Sequence, residues 1–308
     1  MNAPMTLPKD VLTQDEAIAR APRVADVAYE LRLDLTRGAS IYRGELTATF
    51  KHDAAADGGS PLFLDFTGHR IERLEVNGTE VTSPDWSGVR LTIDGALLAP
   101  ETTIRVVYEN EYDHTGDGFH QFVDPEDGEE YLYTNFEPYS AHKLFPCFDQ
   151  PDIKAEYLLT VTAPAAWELI ANSRVEARTE RADGRATTTF ERTRRFSTYL
   201  FALVAGPFVA FRGEHEGIDL GFFARKSLAP HVDEAELFEV TKQGLTFFAG
   251  FFDYPYAFGK YDQVFVPEFN AGAMENVGAV TARWYEALMS GWSKHGKSLC
   301  AEYGSKLV

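Results

Sequence analysis

The stretch FNAGAMENVGAVT, residues 269–281, sets a single carboxylate, Glu275, in a run of small residues behind the apolar Val264-Phe265-Val266-Pro267. Glycine and alanine let a backbone come close to a ligand. The spacing predicts a short edge strand, and an exposed strand edge can take up an extended peptide by main-chain hydrogen bonding. A carboxylate beside such an edge can bind a free amine. On residue type alone a solvated surface Glu is the commoner outcome, so the meaning of the stretch depends on the rest of the chain.

Outward from it, the pattern toward the N-terminus has a period of two. Tyr29, Leu31, Leu33 and Leu35 alternate with Glu30, Arg32 and Asp34, as in a strand with one wet face. Similar runs predict strands at residues 44–50, 62–66, 71–76, 89–93, 104–108, 157–161, 186–193 and 199–204. Asn77-Gly78 and Asp183-Gly184 supply hairpin chemistry. Many short strands at this spacing predict an antiparallel β domain over residues 1–212. Ahead of it, Thr13 and Glu16 have the spacing of a capping box, which predicts a helix over about residues 14–20.

The character changes at Gly213. A strand-like stretch, 219–224, leads to Asp233-Glu234. Leu237, Val240, Gly244, Phe247, Phe248 and Phe251 then recur at helical spacing. This predicts a core-facing helix, ended by Pro255, in which Phe247, Phe248, Phe251 and Phe252 pack into a core.

The bulk numbers bound the function classes. The chain has 308 residues, 44% hydrophobic, enough for two domains. Its 29 Lys and Arg stand against 47 Asp and Glu, a formal charge of −18, which disfavours nucleic acid and anionic membranes as partners. Two cysteines, Cys147 and Cys300, form no metal or disulfide motif. No signal-peptide pattern and no run of 18 apolar residues is present, so a cytoplasmic location is expected.

A second run shifts the reading of Glu275. Residues 133–151, YTNFEPYSAHKLFPCFDQP, again set a carboxylate, Glu137, beside a rigid, aromatic-rich segment. With Gly272-Ala273-Met274-Glu275-Asn276, with Phe145 to Pro151 followed by Lys154-Ala155, and with Ser197-Thr198-Tyr199-Leu200, the chain over about residues 15–281 resembles the N-terminal portion of the aminopeptidase N family of zinc metallopeptidases. The resemblance implies a mainly β fold, an antiparallel β saddle or sandwich followed by the α+β start of a thermolysin-like catalytic domain over residues 213–281.

The same resemblance implies roles. Glu275 and Glu137 correspond to the two acidic residues that bind the substrate's free α-amino group. Gly272 and Ala273 lie where main chain aligns the scissile peptide, with Met274 and Asn276 in the same motif. Asn135, where the family usually has Gln, and Ala271 line the pocket for the first side chain. The Glu137–Pro138 bond is expected to be cis. The implied partners are peptides with a free N-terminus.

The zinc of the family needs His-Glu-x-x-His on a helix and a further Glu. The eight histidines of this chain contain no such pair. Zinc is therefore the cofactor of the full-length family enzyme, this chain is expected to hold none, and the 308 residues alone are expected to be inactive. Residues 282–308 match no expected pattern and read as an atypical tail, truncated or frameshifted. The alternative function is a catalytically silent peptide- or protein-binding module.

The remaining features read as structural. Residues 124–130, DPEDGEE, are expected to form an acidic solvated turn. His114, His120 and His142 are isolated, and Cys147 is expected to be buried. The β domain is expected to fold alone, and the apolar underside of the strand holding Glu275 to be bare and prone to aggregate.

Overall fold

The computed structural model describes residues 10–53, 55 and 59–283. Cys300, His295 and nearly all of the stretch read as an atypical tail lie outside the described residues. The chain opens with α1 (Gln14–Arg20), capped as expected: Glu16 N–H donates to Thr13 Oγ1, and Thr13 N–H donates back to the Glu16 carboxylate at 2.8 Å.

The strands follow as β1 (Val24–Asp34), β2 (Ile41–His52), β3 (Leu62–Asp65), β4 (Arg70–Val76), β5 (Thr79–Glu80), β6 (Asp85–Trp86), β7 (Arg90–Ile93), β8 (Glu101–Glu111), β9 (Gly118–Val123) and β10 (Glu130–Asn135). After these come β11 (Ala155–Pro164), β12 (Glu168–Ala171), β13 (Val175–Glu180), β14 (Arg185–Phe190) and β15 (Leu203–Gly206). The rest are β16 (Val209–His215), β17 (Ile218–Ala224), the helix α2 (Glu234–Phe252), β18 (Lys260–Val266), β19 (Ala273–Met274) and β20 (Ala279–Arg283).

The fold is mainly β, with mostly antiparallel pairing. An eight-stranded sheet runs β13-β14-β11-β1-β2-β8-β4-β5, a three-stranded one β3-β7-β6, and a four-stranded one β12-β15-β10-β9. The chain then passes at Pro207-Phe208 into a five-stranded sheet, β16-β17-β18-β20-β19, where β17, β18 and β20 pair in parallel. β16, which runs through residue 212, pairs along its whole length with β17. The hairpin at Asn77-Gly78 has both residues left-handed, φ 50° and 79°, as a primed two-residue turn requires.

Alternation was a good guide wherever one face is wet. β1 buries Tyr29, Leu31 and Leu33 and exposes Glu30 and Arg32. It misses β10, buried at all six positions, and β13, exposed at all six. The strand expected over 199–204 is a correction. Thr198–Leu200 form a 3-10 turn and β15 starts only at Leu203, because Ser197 Oγ and Thr198 Oγ1 bond across to Pro151 O and Asp149 Oδ1, both at 2.6 Å.

One hydrophobic core fills the space around the eight-stranded sheet and includes Phe145, Cys147 and Phe148. A second joins the two sheet systems: Tyr131, Tyr133, Ile170 and Val204 pack with Phe223, Val264, Val266, Phe269 and Met274. The underside expected to be bare is therefore covered, since Met274 is buried against the first sheets. The third cluster lies under the start of α2, with Phe238 edge-on to Phe222 at 4.9 Å.

The phenylalanines expected in a core are a second correction. Phe247, Phe248, Phe251 and Phe252 stack on one another but are 55–69% exposed. The helical period was right. The sheet meets α2 through Leu237, Phe238, Thr241 and Thr246, and nothing among the described residues covers its other side.

Candidate functional site

β19 is the outermost strand of its sheet. Ala273 and Met274 pair with Ala282 and Thr281 of β20, and Arg283 N–H donates to Gly272 O at 2.9 Å. Among the described residues the opposite edge of β19 has no strand beside it in the sheet order. Side chains alternate from this point: Met274 and Asn276 point inward and are buried, whereas Ala273 and Glu275 are exposed. Burying Met274 contributes about 1.5–3 kcal/mol and turns Glu275 to solvent.

A tight turn follows. Ala279 N–H donates to Asn276 O at 3.1 Å, and Gly278 takes φ 69°, the conformation a type II turn requires at its third position. Asn276 Nδ2 donates to Thr281 Oγ1 at 3.2 Å. A Cβ on Gly278 would stand 2.5 Å from Asn172 O, so the position admits glycine for two separate reasons.

Glu137 lies in the segment after β10. Phe136 is buried, while Glu137 and Pro138 are exposed across a peptide bond that is cis, as expected. The segment is fixed by a buried polar network. Tyr139 Oη donates to Asp65 Oδ1 at 2.9 Å, and Asp65 Oδ2 receives Arg20 Nη1 at 2.7 Å and Asp149 N–H at 3.0 Å. Burial raises the Asp65 carboxyl above its ordinary range, an effect that Arg20 opposes. His142 is held between Asp149 Oδ2 (2.7 Å) and Asp10 Oδ1 (2.9 Å). Burial acts to lower its pKa, but these hydrogen bonds and charges outweigh it and push it up to about 9.

The two segments meet at a third. Asn135 Nδ2 donates to Gly116 O at 2.8 Å, and Asn270 Nδ2 donates to Thr115 O at 2.9 Å. Tyr133, on the same strand as Asn135, packs edge-on to Phe269 at 5.8 Å and donates through its hydroxyl to Glu268 O at 3.3 Å. Ala271 is half-buried against the same cluster. The structure thus places 133–137 and 268–276 on one seam. Among the described residues Glu137 and Glu275 have no hydrogen-bond or ion-pair partner. Asn135, by contrast, is buried with its amide already engaged.

The seam is itself polar. Asn172 Nδ2 donates to Leu200 O and Val277 O, each at 2.8 Å, and Lys260 Nζ bonds Ala171 O at 2.6 Å and Asp262 at 2.7 Å. Burial pulls the Lys260 pKa down, against the pull of Asp262. Residues 124–130 need correction here, because Asp124 is not solvated. It is buried and receives Arg225 Nη1 at 2.9 Å and Ser227 Oγ at 2.8 Å, while Lys226 pairs with Glu129 at 2.7 Å. The charge run is a docking surface between the sheet systems, for which sequence offers no signal. Asn270, Asn172 and Tyr133 were likewise missed as positioning residues, since their partners are main-chain atoms far away in sequence.

Among the described residues no three His, Cys, Asp or Glu side chains converge so as to hold a metal ion. They supply no ligand set for zinc, and no step through a metal is derived for them. No helix among them is long and apolar enough to cross a membrane.

Comparison with known proteins agrees with this geometry. The family described as Peptidase M1 N-terminal domain matches residues 25–200, and that described as Peptidase family M1 domain matches residues 236–297. The second match continues past Thr281 into the stretch read as atypical. Aminopeptidase N of Streptomyces lividans is 42% identical over 284 residues, 90% of this chain and 32% of that protein. Aminopeptidase M1-C of Oryza sativa subsp. japonica is 30% identical over 91% of this chain and 32% of its own length. Aminopeptidase N of Homo sapiens is 30% identical over 80% and 28%. The chain spans about a third of the length of these relatives. With more than half of its residues matched by the N-terminal domain and the GAMEN strand in place at the seam, the chain belongs to peptidase family M1.

Proposed function

We propose that this chain is the part of a zinc aminopeptidase that anchors the free N-terminus of a peptide. The observation that carries the reading is a pair of exposed, unpartnered carboxylates, Glu137 and Glu275, on segments brought to one seam beside an open strand edge. Two carboxylates facing one ammonium form charge-assisted hydrogen bonds. An internal peptide has no ammonium to offer them, so the arrangement selects the first residue. The main chain at Gly272 and Ala273 aligns the substrate as an added strand, with Ala271 and Asn135 beside its first side chain.

Anchoring the ground state does not by itself accelerate hydrolysis. The 308 residues are therefore expected to bind but not to cleave, and zinc is expected to act only in the complete enzyme. The test is hydrolysis of an amino-acid anilide by the purified chain, with zinc content measured on the same sample. It is paired with titration of a free-amine tripeptide and its N-acetylated form. Binding of the free amine alone, weakened by Glu275→Gln, supports the anchor; equal binding of both peptides sinks it. Activity tracking stoichiometric zinc would overturn the expectation of inactivity.

A second reading is a catalytically silent binding module, which the same open anchor among the described residues would equally serve. It predicts a protein partner retained by the chain when the tripeptide is not. A cytoplasmic location is part of the proposal, and recovery of the protein in an extracytoplasmic fraction would contradict it.

A further inference from the structure

His120, on β9, is buried, and its two ring nitrogens face different segments of the seam. Nδ1 accepts a hydrogen bond from Gly116 N–H at 3.1 Å. A nitrogen that accepts carries no proton, so the imidazole is the neutral Nε2–H tautomer. Nε2 lies 3.5 Å from Glu268 Oε2, too far for a hydrogen bond, and is buried with no hydrogen-bond partner among the described residues. The ring also lies against Tyr133, 4.9 Å between centroids, whose hydroxyl holds Glu268 O.

Each end of this bridge reaches one half of the anchor. Gly116 O receives Asn135, two residues before Glu137, and Thr115 O receives Asn270. Glu268, in a left-handed turn at φ 49°, leads directly from β18 into Phe269 to Glu275.

We propose that His120 is a positioning residue that sets the spacing between Glu137 and Glu275 by holding the Gly116 turn through Nδ1 while its Nε2–H faces the Glu268 carboxylate, as the neutral Nε2–H tautomer. As a statement about the amine site, this rests on the anchor reading above. Protonation would put a second N–H where Gly116 N–H already points, opposing two donors and opening the turn. The charged groups around the ring pull in different directions. Burial, the largest influence, and His114 hold it neutral, whereas Glu268 and Asp113 favour the cation, and the net shift is downward. The neutral bridge is thus the state at neutral pH.

The experiment uses the 308-residue chain. Imidazole ¹⁵N shifts report the tautomer, amide exchange at Gly116 and Arg283 reports the two ends, and the free-amine tripeptide reports the site. The expected result is an Nε2–H ring, with Gly116 exchange accelerated about fivefold or more in His120→Ala, the cost of one buried hydrogen bond. His120→Asn, whose amide oxygen can replace Nδ1, should restore protection at Gly116 but not tripeptide affinity. Glu268→Gln, at an exposed side chain, keeps the fold and should weaken the tripeptide by about threefold or more.

An Nδ1–H ring, or unchanged exchange at both amides in His120→Ala, overturns the proposal. So does full tripeptide affinity in both His120→Ala and Glu268→Gln. A wild-type chain that binds no tripeptide, but whose Gly116 and Arg283 amides respond to His120→Ala, supports the bridge while overturning the anchor reading.

Discussion

Asn135 and Asn270 donate to neighbouring carbonyls of one turn, Gly116 O and Thr115 O. Asn135 belongs to the first sheet system and Asn270 to the second, so this turn acts as a gauge between them. Asn135 is buried and Asn270 exposed, and their removal should differ accordingly. Asn135→Ala leaves a buried carbonyl unsatisfied and should cost about 1–3 kcal/mol. Asn270→Ala exchanges its bond for one to water and should cost under about 1 kcal/mol. Chemical denaturation of both variants measures this, and equal losses would contradict the gauge.

The His142 contacts predict a pH dependence of stability. Its folded pKa, about 9, lies above the ordinary 6.5, so the folded state binds the proton more tightly than the unfolded state does. The stabilisation is complete below pH 6.5 and is lost as pH rises toward 9. At about 1.4 kcal/mol per unit, the loss is at most on the order of 3 kcal/mol. Melting temperature should fall across this window, and the fall should flatten in His142→Gln. A wild-type profile that is level from pH 6.5 to 9 would show that the pair with Asp10 and Asp149 is not coupled to folding.

Arg20 and Asp65 form an ion pair that is almost wholly buried, 1% and 0% exposed. Breaking such a pair strands the other charge. Arg20→Met should therefore cost about 3–5 kcal/mol, because it leaves the Asp65 carboxylate buried with only Tyr139 and the Asp149 N–H as donors. The double variant Arg20→Met with Asp65→Leu should recover part of that stability. Denaturant midpoints decide, and a double variant no better than the single would mean that Asp65 matters chiefly through Tyr139 and Asp149.

Gly278→Ala should destabilise the turn behind Glu275. The added Cβ meets Asn172 O at 2.5 Å in a left-handed conformation. The strain alone costs about 1–2 kcal/mol. Amide exchange at Ala279 and Asp262, which flank the turn, should accelerate more than at β1. Uniform change across the chain would argue against a local effect.

Much of the fold follows from a single physical rule, that a strand with one wet face alternates. Tyr29 to Leu35 shows the rule in use, and the capping box at Thr13 and Glu16 is as local. The rule has no purchase on β10, dry on both faces, or on β13, wet on both. It also cannot say what a helix packs against: the spacing of Phe247 to Phe251 was read correctly as helical and wrongly as core.

For the site, the motifs around Glu137 and Glu275 were legible because they are short and contiguous. What holds them was not. Asn135 with Gly116, Asn270 with Thr115, His120 with Glu268 and Asp124 with Arg225 bring together residues distant in the chain, and half of these contacts end on main-chain carbonyls that every residue type has. The sequence by itself determined the family and the helix and strand periods, and it singled out Glu137 and Glu275 as candidates, readings that rest on local side-chain chemistry. Only the tertiary structure decided which carboxylates stay unpaired and which, like Asp124, are consumed in the seam, because pairing depends on distances that no local pattern encodes.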